Sequence, residues 1–251
     1  MNAVPSVPVR DAVVLAAGNG DRFQNGTRQS KLLQHVLGQP LIIRTLTTAA
    51  DAGIDAFEIV VGYQAETVRA AIERDAPRGV TLHFTYNPEW HLENGVSVLS
   101  VRDRFRDRRF ALLMGDHLFE APVLSRLLRM RVSADESILA IDGRPTSPEI
   151  AAEATKVRLD GDRITAIGKD LETHDALDTG LFVCSPLLFD ALDAARGAGD
   201  TTLSGGNRRL ARRGLMRGAD VGTASWYDID TVADLATAET LLYAQPEPEP
   251  A

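Results

Sequence analysis

Four short stretches carry residue types suited to handling phosphate and a divalent cation. The first is Leu15-Ala-Ala-Gly-Asn-Gly-Asp-Arg22, an apolar run that breaks into a turn. Gly18 and Gly20 let backbone N–H groups approach a phosphate with no Cβ in the way, and Arg22 adds a bidentate cation. Leu15, Ala16, Ala17, Gly18, Asn19 and Gly20 are therefore candidate nucleotide contacts. Taken alone, such a turn is more often a plain tight turn. A Walker loop would need Gly-Lys-Ser/Thr after four residues. A dinucleotide turn would need a third glycine and an acid ending the next strand, where Val61-Gly62-Tyr63 stands instead.

The second is Lys31, which follows the polar stretch Gln24 to Ser30 and precedes Leu32-Leu33. In isolation it reads as a solvated lysine. The third, Leu112-Leu-Met-Gly-Asp-His117, puts Asp116 at the end of an apolar strand, where a carboxylate can face a ligand or cap a following helix. The fourth, Trp226-Tyr-Asp-Ile-Asp230, offers two more carboxylates on an extended segment. One of Asp228 and Asp230 is expected to face the site and the other to serve as a local cap or face solvent. His117 could contact a ligand beside Asp116, although no His or Cys cluster has zinc spacing. Cys184, in an apolar strand, reads as a buried inert thiol. Ser204-Gly-Gly206 reads as a turn, and Arg208, Arg209, Arg212 and Arg213 as a solvated helix face.

These residues need a scaffold of alternating strands and helices. Asp11 to Ala17 is a continuous apolar run, as expected of a parallel strand buried on both faces. A helix is predicted from about Pro40 to Ala52, a strand over 57–62, a helix over 65–75, a strand over 80–86, a helix over 96–105 and a strand over 110–114. In the second half, 155–159 and 163–167 flank Asp160-Gly161 as a hairpin, and 176–184 forms another strand. Thr231 and Asp234 form a capping box with a shortened acid for a last helix reaching Ala244. The expected fold is α/β: a Rossmann-like, mostly parallel sheet flanked by helices, with ligands at the strands' carboxyl ends and an added hairpin lobe beside the sheet.

With 251 residues and 44% hydrophobic content, the chain can fill one large core. The expected organisation is an arm over 1–10, one domain over 11–244 and a proline-rich disordered tail over 245–251. Within the domain, 11–130 forms the nucleotide half and 131–244 the acceptor half. The net charge of −8 argues against nucleic acid or anionic lipid as partner, so phosphate must be met by a few placed cations. One cysteine, no signal-like start and no apolar run of about 20 residues lead to the expectation of a cytoplasmic protein without direct membrane insertion.

The order of the motifs is more particular than any one of them. The glycine loop, Lys31, Leu113-Met-Gly-Asp-His117 and Trp226-Tyr-Asp-Ile-Asp-Thr231 together resemble the sugar-phosphate and polyol-phosphate nucleotidyltransferases. Within them the chain is most similar to the CTP:inositol-1-phosphate cytidylyltransferases. Support for the narrower match comes from Glu93-Asn-Gly-Val-Ser97, from Glu153-Ala-Thr-Lys-Val-Arg158 with Ile167-Gly-Lys-Asp-Leu171, and from Asp178-Thr-Gly-Leu-Phe182. The similarity runs from Ala12 to Leu242. Ser30 stands where the family usually has proline, the loop before it is longer, and Glu93 often stands as glycine. The resemblance implies a fold of the nucleotide-diphospho-sugar transferase type whose hairpin lobe serves the acceptor. It implies Mg²⁺ as cofactor, held by Asp116 with Asp228 or Asp230, and Lys31, Arg22 and Asp116 in catalysis. Asn94, Gly95 and Ser97 would join the nucleotide contacts, and Lys156, Lys169, Asp178, Thr179 and Gly180 would line the acceptor pocket. Several family members carry this domain fused to a membrane-embedded alcohol phosphotransferase. Here the product is expected to pass to a separate membrane CDP-alcohol phosphotransferase.

The chemistry constrains the same reading. A phosphomonoester has a second pKa of about 6, so such an acceptor is mostly dianionic at neutral pH and needs no protein base. The difficulty is holding that anion in line with the α-phosphate of CTP, which calls for cations and backbone donors. Another acceptor, such as a sugar 1-phosphate, phosphocholine or the molybdenum cofactor, fits the same set, as does a catalytically silent nucleotide-sensing module.

Overall fold

The structure is a computed structural model that describes residues 8–20, 23, 29–144 and 154–243. Arg22, Glu153 and the loop from 24 to 28 lie outside the described residues, as do residues 1–7 of the expected arm and the whole expected tail. Strand β1 (Asp11–Ala16) is followed by a 3-10 turn at Lys31–Leu33, the small hairpin β2 (His35–Val36) and β3 (Gln39–Pro40), and helix α1 (Leu41–Asp51). Next come β4 (Ala56–Val61), α2 (Ala65–Asp75), β5 (Thr81–Tyr86), α3 (Asn94–Leu99), α4 (Arg102–Phe105) and β6 (Phe110–Met114). The chain continues through β7 (His117–Phe119), α5 (Ala121–Arg129), β8 (Ser137–Asp142), β9 (Lys156–Asp160), β10 (Arg163–Gly168) and β11 (Ala176–Cys184). It ends with α6 (Leu187–Arg196), α7 (Leu203–Arg212), β12 (Met216–Asp220), β13 (Trp226–Asp228) and α8 (Val232–Tyr243).

Nine strands form one sheet in the order β5-β4-β1-β6-β11-β8-β12-β10-β9. Strands β5, β4, β1 and β6 run parallel, β11 lies antiparallel between β6 and β8, and β12 is parallel to β8. The apolar run of β1 is explained by two-sided burial. Ala12, Val14 and Ala16 face one core, whereas Val13 and Ala17 face the other. Strand β6 repeats the pattern, with Ala111 and Leu113 on the first side and Phe110 and Leu112 on the second. Phe110 is fully buried and its ring lies 4.9 Å from Phe105 and 5.5 Å from Phe189, so truncating it to alanine costs about 3–5 kcal/mol.

A third apolar cluster joins Val36, Leu41, Leu118, Ile229 and Ala238. It fastens the last helix and the β13 segment against β7 and the start of α1. Among the described residues, no helix is long and apolar enough to cross a membrane.

Several expected elements differ. The helix expected over 96–105 is two short helices, because Ser100 and Val101 close the first with tight turns before Arg102 opens the second. Ser204-Gly-Gly206 is the first turn of α7, capped by the Thr202 hydroxyl accepting from the Gly205 N–H at 2.9 Å. The hairpin of β9 and β10 is part of the sheet's edge, paired with β11 at one end and bridged to β12 through Arg163 and Arg217 at the other. The capping box is present: Thr231 Oγ1 accepts from the Asp234 N–H at 3.2 Å, and Asp234 Oδ2 accepts from the Thr231 N–H at 2.7 Å.

Candidate functional site

The site lies at the carboxyl ends of β1 and β6, where parallel strands leave backbone groups and loop side chains free to meet a ligand. Two glycines permit the close packing there. The Gly115 N–H donates to the Leu15 carbonyl at 2.9 Å, and a Cβ at 115 would lie 2.8 Å from that oxygen and 2.9 Å from Ile42. Asp116 is thereby held against the start of the glycine loop. It does not cap a helix, because β7 follows it directly.

Lys31 is buried, contrary to its reading in isolation. Its Nζ donates to Asp116 Oδ2 at 2.7 Å and to Asp230 Oδ1 at 3.1 Å. Burial alone would lower the ammonium, but Asp116 and then Asp230 outweigh it and raise it. On its other side, Asp116 Oδ1 accepts from His117 Nδ1 at 3.0 Å, and Asp228 Oδ1 lies 3.6 Å from the same nitrogen. Burial works against the imidazolium, yet Asp228 and Asp116 push His117 up to about 9. Burial likewise opposes the Asp116 carboxylate, and Lys31 and His117 hold it well below the usual carboxylate range. For Asp228, partial burial and the neighbouring Asp116 and Asp230 raise the carboxyl against His117.

Both Asp228 and Asp230 reach the site, which corrects the expectation that one of them would turn away. Residues two apart on an extended chain share a face, and it is Ile229 between them that turns into the apolar cluster. Asp228 pairs with His117 across β13 and β7, while Asp230 meets Lys31. Asp116, His117 and Asp228 each offer one ligand atom, and these atoms lie within 4.8 Å of one another. Two carboxylates so placed have the hard oxygen donors that suit a divalent cation.

Around this centre the other candidates take distinct positions. Ala17 is buried and its carbonyl accepts from the Tyr63 N–H at 2.9 Å, while Gly18 and Asn19 are exposed and Gly20 is half-buried. Asn94 accepts from the Leu203 N–H at 2.9 Å, tying α3 to the start of α7, and a Cβ at Gly95 would strike the Thr201 carbonyl. Ser97 is buried and accepts from Asn87 Nδ2 at 3.0 Å. At the start of β11, Asp178 Oδ1 accepts from the Gly180 N–H at 2.8 Å, and burial pushes its carboxyl up to about 6. The Thr179 hydroxyl turns inward to the Ala140 carbonyl at 2.9 Å. Lys156 Nζ donates to the Lys169 carbonyl at 3.0 Å, and the Lys169 side chain is exposed. Arg208 pairs with Asp200 and lies against Gly168, so it is more than a solvated helix face. Cys184 is buried and burial raises its thiol, as expected of an inert residue. His117 reads as isolated in the sequence because two of its neighbours, Asp228 and Gly180, are distant in the chain.

Parallel strands delivering a glycine loop, a lysine and strand-end carboxylates to one edge define a nucleotidyltransferase of the α/β class. Residues 12–213 match the MobA-like NTP transferase domain, and the chain belongs to that family. Among curated proteins, it is 35% identical over 233 residues to the "Bifunctional IPC transferase and DIPP synthase" of Rubrobacter xylanophilus, covering 92% of this chain and 51% of that protein. It is 32% identical over 237 residues to the Aquifex aeolicus protein of the same name, covering 93% and 52%. The chain thus spans about half the length of these relatives. Among solved structures, the inositol-1-phosphate CTP transferase from T. maritima has the same fold, with a TM-score of 0.82 at 24% identity over 95% of this chain and 96% of that one.

Proposed function

We propose that the chain transfers a cytidylyl group from CTP to inositol 1-phosphate, forming CDP-inositol and releasing pyrophosphate. The observation that carries this reading is the meeting of Lys31, Asp116 and Asp228 at one strand edge, in a chain whose relatives are named for IPC transfer and whose fold is that of an inositol-1-phosphate CTP transferase. The half over 11–130 holds the nucleotide, with the loop Leu15 to Gly20 and Arg22 on the phosphates and Asn94, Gly95 and Ser97 shaping the opposite wall. The half over 131–244 holds the acceptor through Lys156, Lys169 and Asp178, with Thr179 and Gly180 behind them.

Asp116 and Asp228 would hold Mg²⁺, with Asp230 beside them, and the bound cation supplies neutralisation of phosphate charge. Lys31, released from its two aspartates, is placed to meet charge developing on the transferring phosphate. A phosphate oxygen of the acceptor attacks the α-phosphorus, and the bond to the bridging oxygen breaks with its electron pair leaving on pyrophosphate. No residue need remove a proton, because the attacking oxygen is already ionised. The reaction would take place in the cytoplasm, and its product would go to a membrane CDP-alcohol phosphotransferase.

The test is a matrix of CTP, UTP and GTP against inositol 1-phosphate, glucose 1-phosphate and choline phosphate, followed by pyrophosphate release. CTP with inositol 1-phosphate is expected to give the highest kcat/KM. A pocket that hydrogen-bonds several ring hydroxyls leaves its polar groups unpaired when they are missing, so choline phosphate should be poor. Equal or better turnover with choline phosphate, glucose 1-phosphate, UTP or GTP would remove the assignment. No turnover with any pair would favour a nucleotide-sensing role.

A further inference from the structure

His117 sits between the two carboxylates assigned above to the cation, and either of its nitrogens could in principle be a third ligand. The surroundings of the ring argue otherwise. We infer that His117 is a positioning residue that gathers Asp116 and Asp228 around a single divalent cation while staying out of its coordination shell, and that residue 180 must be glycine to give the ring room. This rests on the proposal that those two carboxylates hold the cation.

Nδ1 carries a hydrogen. This nitrogen lies 3.0 Å from Asp116 Oδ1 and 3.6 Å from Asp228 Oδ1. An ionised carboxylate only accepts, so Nδ1 is the donor and has no lone pair left for a metal. The opposite edge of the ring has no open space beside it. A Cβ built on Gly180 would stand 2.7 Å from Nε2 and 2.6 Å from Cδ2. That edge is pressed against the β11 backbone, on the side away from the carboxylates. Nε2 is turned away from an ion that Asp116 and Asp228 would share, and Nδ1, which faces both carboxylates, meets them through its hydrogen.

The ring is also fixed by contacts that a chance neighbour would lack. Its face lies over Trp226 at 6.4 Å between centroids and 22° between planes, and Trp226 Nε1 is itself held by Asp142 Oδ2 at 2.8 Å. The main chain of residue 117 is held twice. Its carbonyl accepts from the buried Thr45 hydroxyl at 2.9 Å, and it pairs with Asp228 across β7 and β13. Asp116 and Asp228 come from distant parts of the chain, and like charges brought together repel. A donor shared between them sets their spacing before any cation arrives, as outer partners of metal ligands commonly do. Gly180 has φ +76°, a backbone conformation that a side chain would strain even without the clash. Its position in the Asp178-Thr-Gly motif therefore serves the cation end of the site as well as the acceptor wall.

The experiment uses Mn²⁺ as a paramagnetic probe on the full chain, with affinity read by electron paramagnetic resonance and nitrogen contact by the ¹⁴N modulation of the spin echo. Thermal melts establish that each variant is folded. Wild type should bind Mn²⁺ without the coupling of a directly bound imidazole. His117→Ala should weaken binding by about 10–100-fold. His117→Asn, whose amide can donate near the position of Nδ1, should stay within about threefold of wild type. Gly180→Ala should weaken binding as His117→Ala does. Imidazole coupling in the wild type would make His117 a ligand and overturn the inference, and this result needs no variant to fold. Unchanged affinity in His117→Ala would overturn it too, and unchanged affinity in Gly180→Ala would remove the role given to residue 180. Asp116→Ala separates the two layers: if it binds Mn²⁺ as wild type does, the cation assignment itself has failed. If it loses binding while His117→Ala keeps it, only the positioning role has failed.

Discussion

Replacing Asp178 with asparagine should make the protein more stable at neutral pH. Burial pushes this carboxyl up to about 6 from an ordinary value of 3.8, even though the Gly180 N–H and His117 favour its ionised form. A rise of roughly two units corresponds to at most about 3 kcal/mol. Because the folded state binds this proton more tightly than the unfolded state, the stability it contributes is full below pH 4. It is lost as pH rises from about 4 to 6 and stays lost above. Asparagine keeps the oxygen that accepts from the Gly180 N–H at 2.8 Å and carries no charge. Urea unfolding of both proteins from pH 4 to pH 8 should show the variant ahead by up to about 3 kcal/mol at pH 7.5, with the gap closing toward pH 4. A variant less stable at pH 7.5, or a gap independent of pH, would refute the reasoning. A carboxylate held at such a cost needs a ligand to justify it, so the same variant should raise KM for the acceptor.

Further outcomes follow from the same site. Asp116→Ala and Asp228→Ala should each lower pyrophosphate release by more than about 100-fold, with Asp230→Ala less harmful because it removes one partner of Lys31 rather than a proposed cation ligand. Lys31→Ala should lower kcat, whereas Lys169→Ala, at an exposed residue proposed to meet the acceptor, should chiefly raise KM for the acceptor; the reverse pattern in steady-state kinetics would exchange their roles. Thr202→Ala removes the cap that accepts from the Gly205 N–H and should cost about 1 kcal/mol in urea unfolding without changing KM for CTP.

Features dictated by neighbours in sequence were legible before the structure. The two-sided burial of β1, the span 65–75 of α2, Asp116 at a strand end and the Thr231 cap each follow from local pattern. What pairs across the sheet was not. Nothing in the apolar run 176–184 says that it lies antiparallel between β6 and β8, or that 216–220 pairs in parallel with 137–142. The same limit governs the site. Lys31 reads as solvated until the chain brings Asp116 and Asp230 to it, and His117 reads as isolated until Asp228 and Gly180 surround it. For Asp228 and Asp230 the signal is local, since a period of two places both on one face.

The cluster of Val36, Leu41, Leu118, Ile229 and Ala238 has a consequence for the order in which the molecule is made. Lys31 bonds to Asp230, and the Leu37 N–H donates to Glu239 at 2.9 Å, so the amino-terminal and carboxyl-terminal portions meet at the site. Contacts so far apart in sequence close a long loop and form after local structure. On the ribosome, the strands through β6 can pair while Lys31 still lacks Asp230 and Asp116 still lacks its partner Asp228 across His117. The nascent chain therefore completes the proposed site only after the helix over 232–243 has emerged and docked.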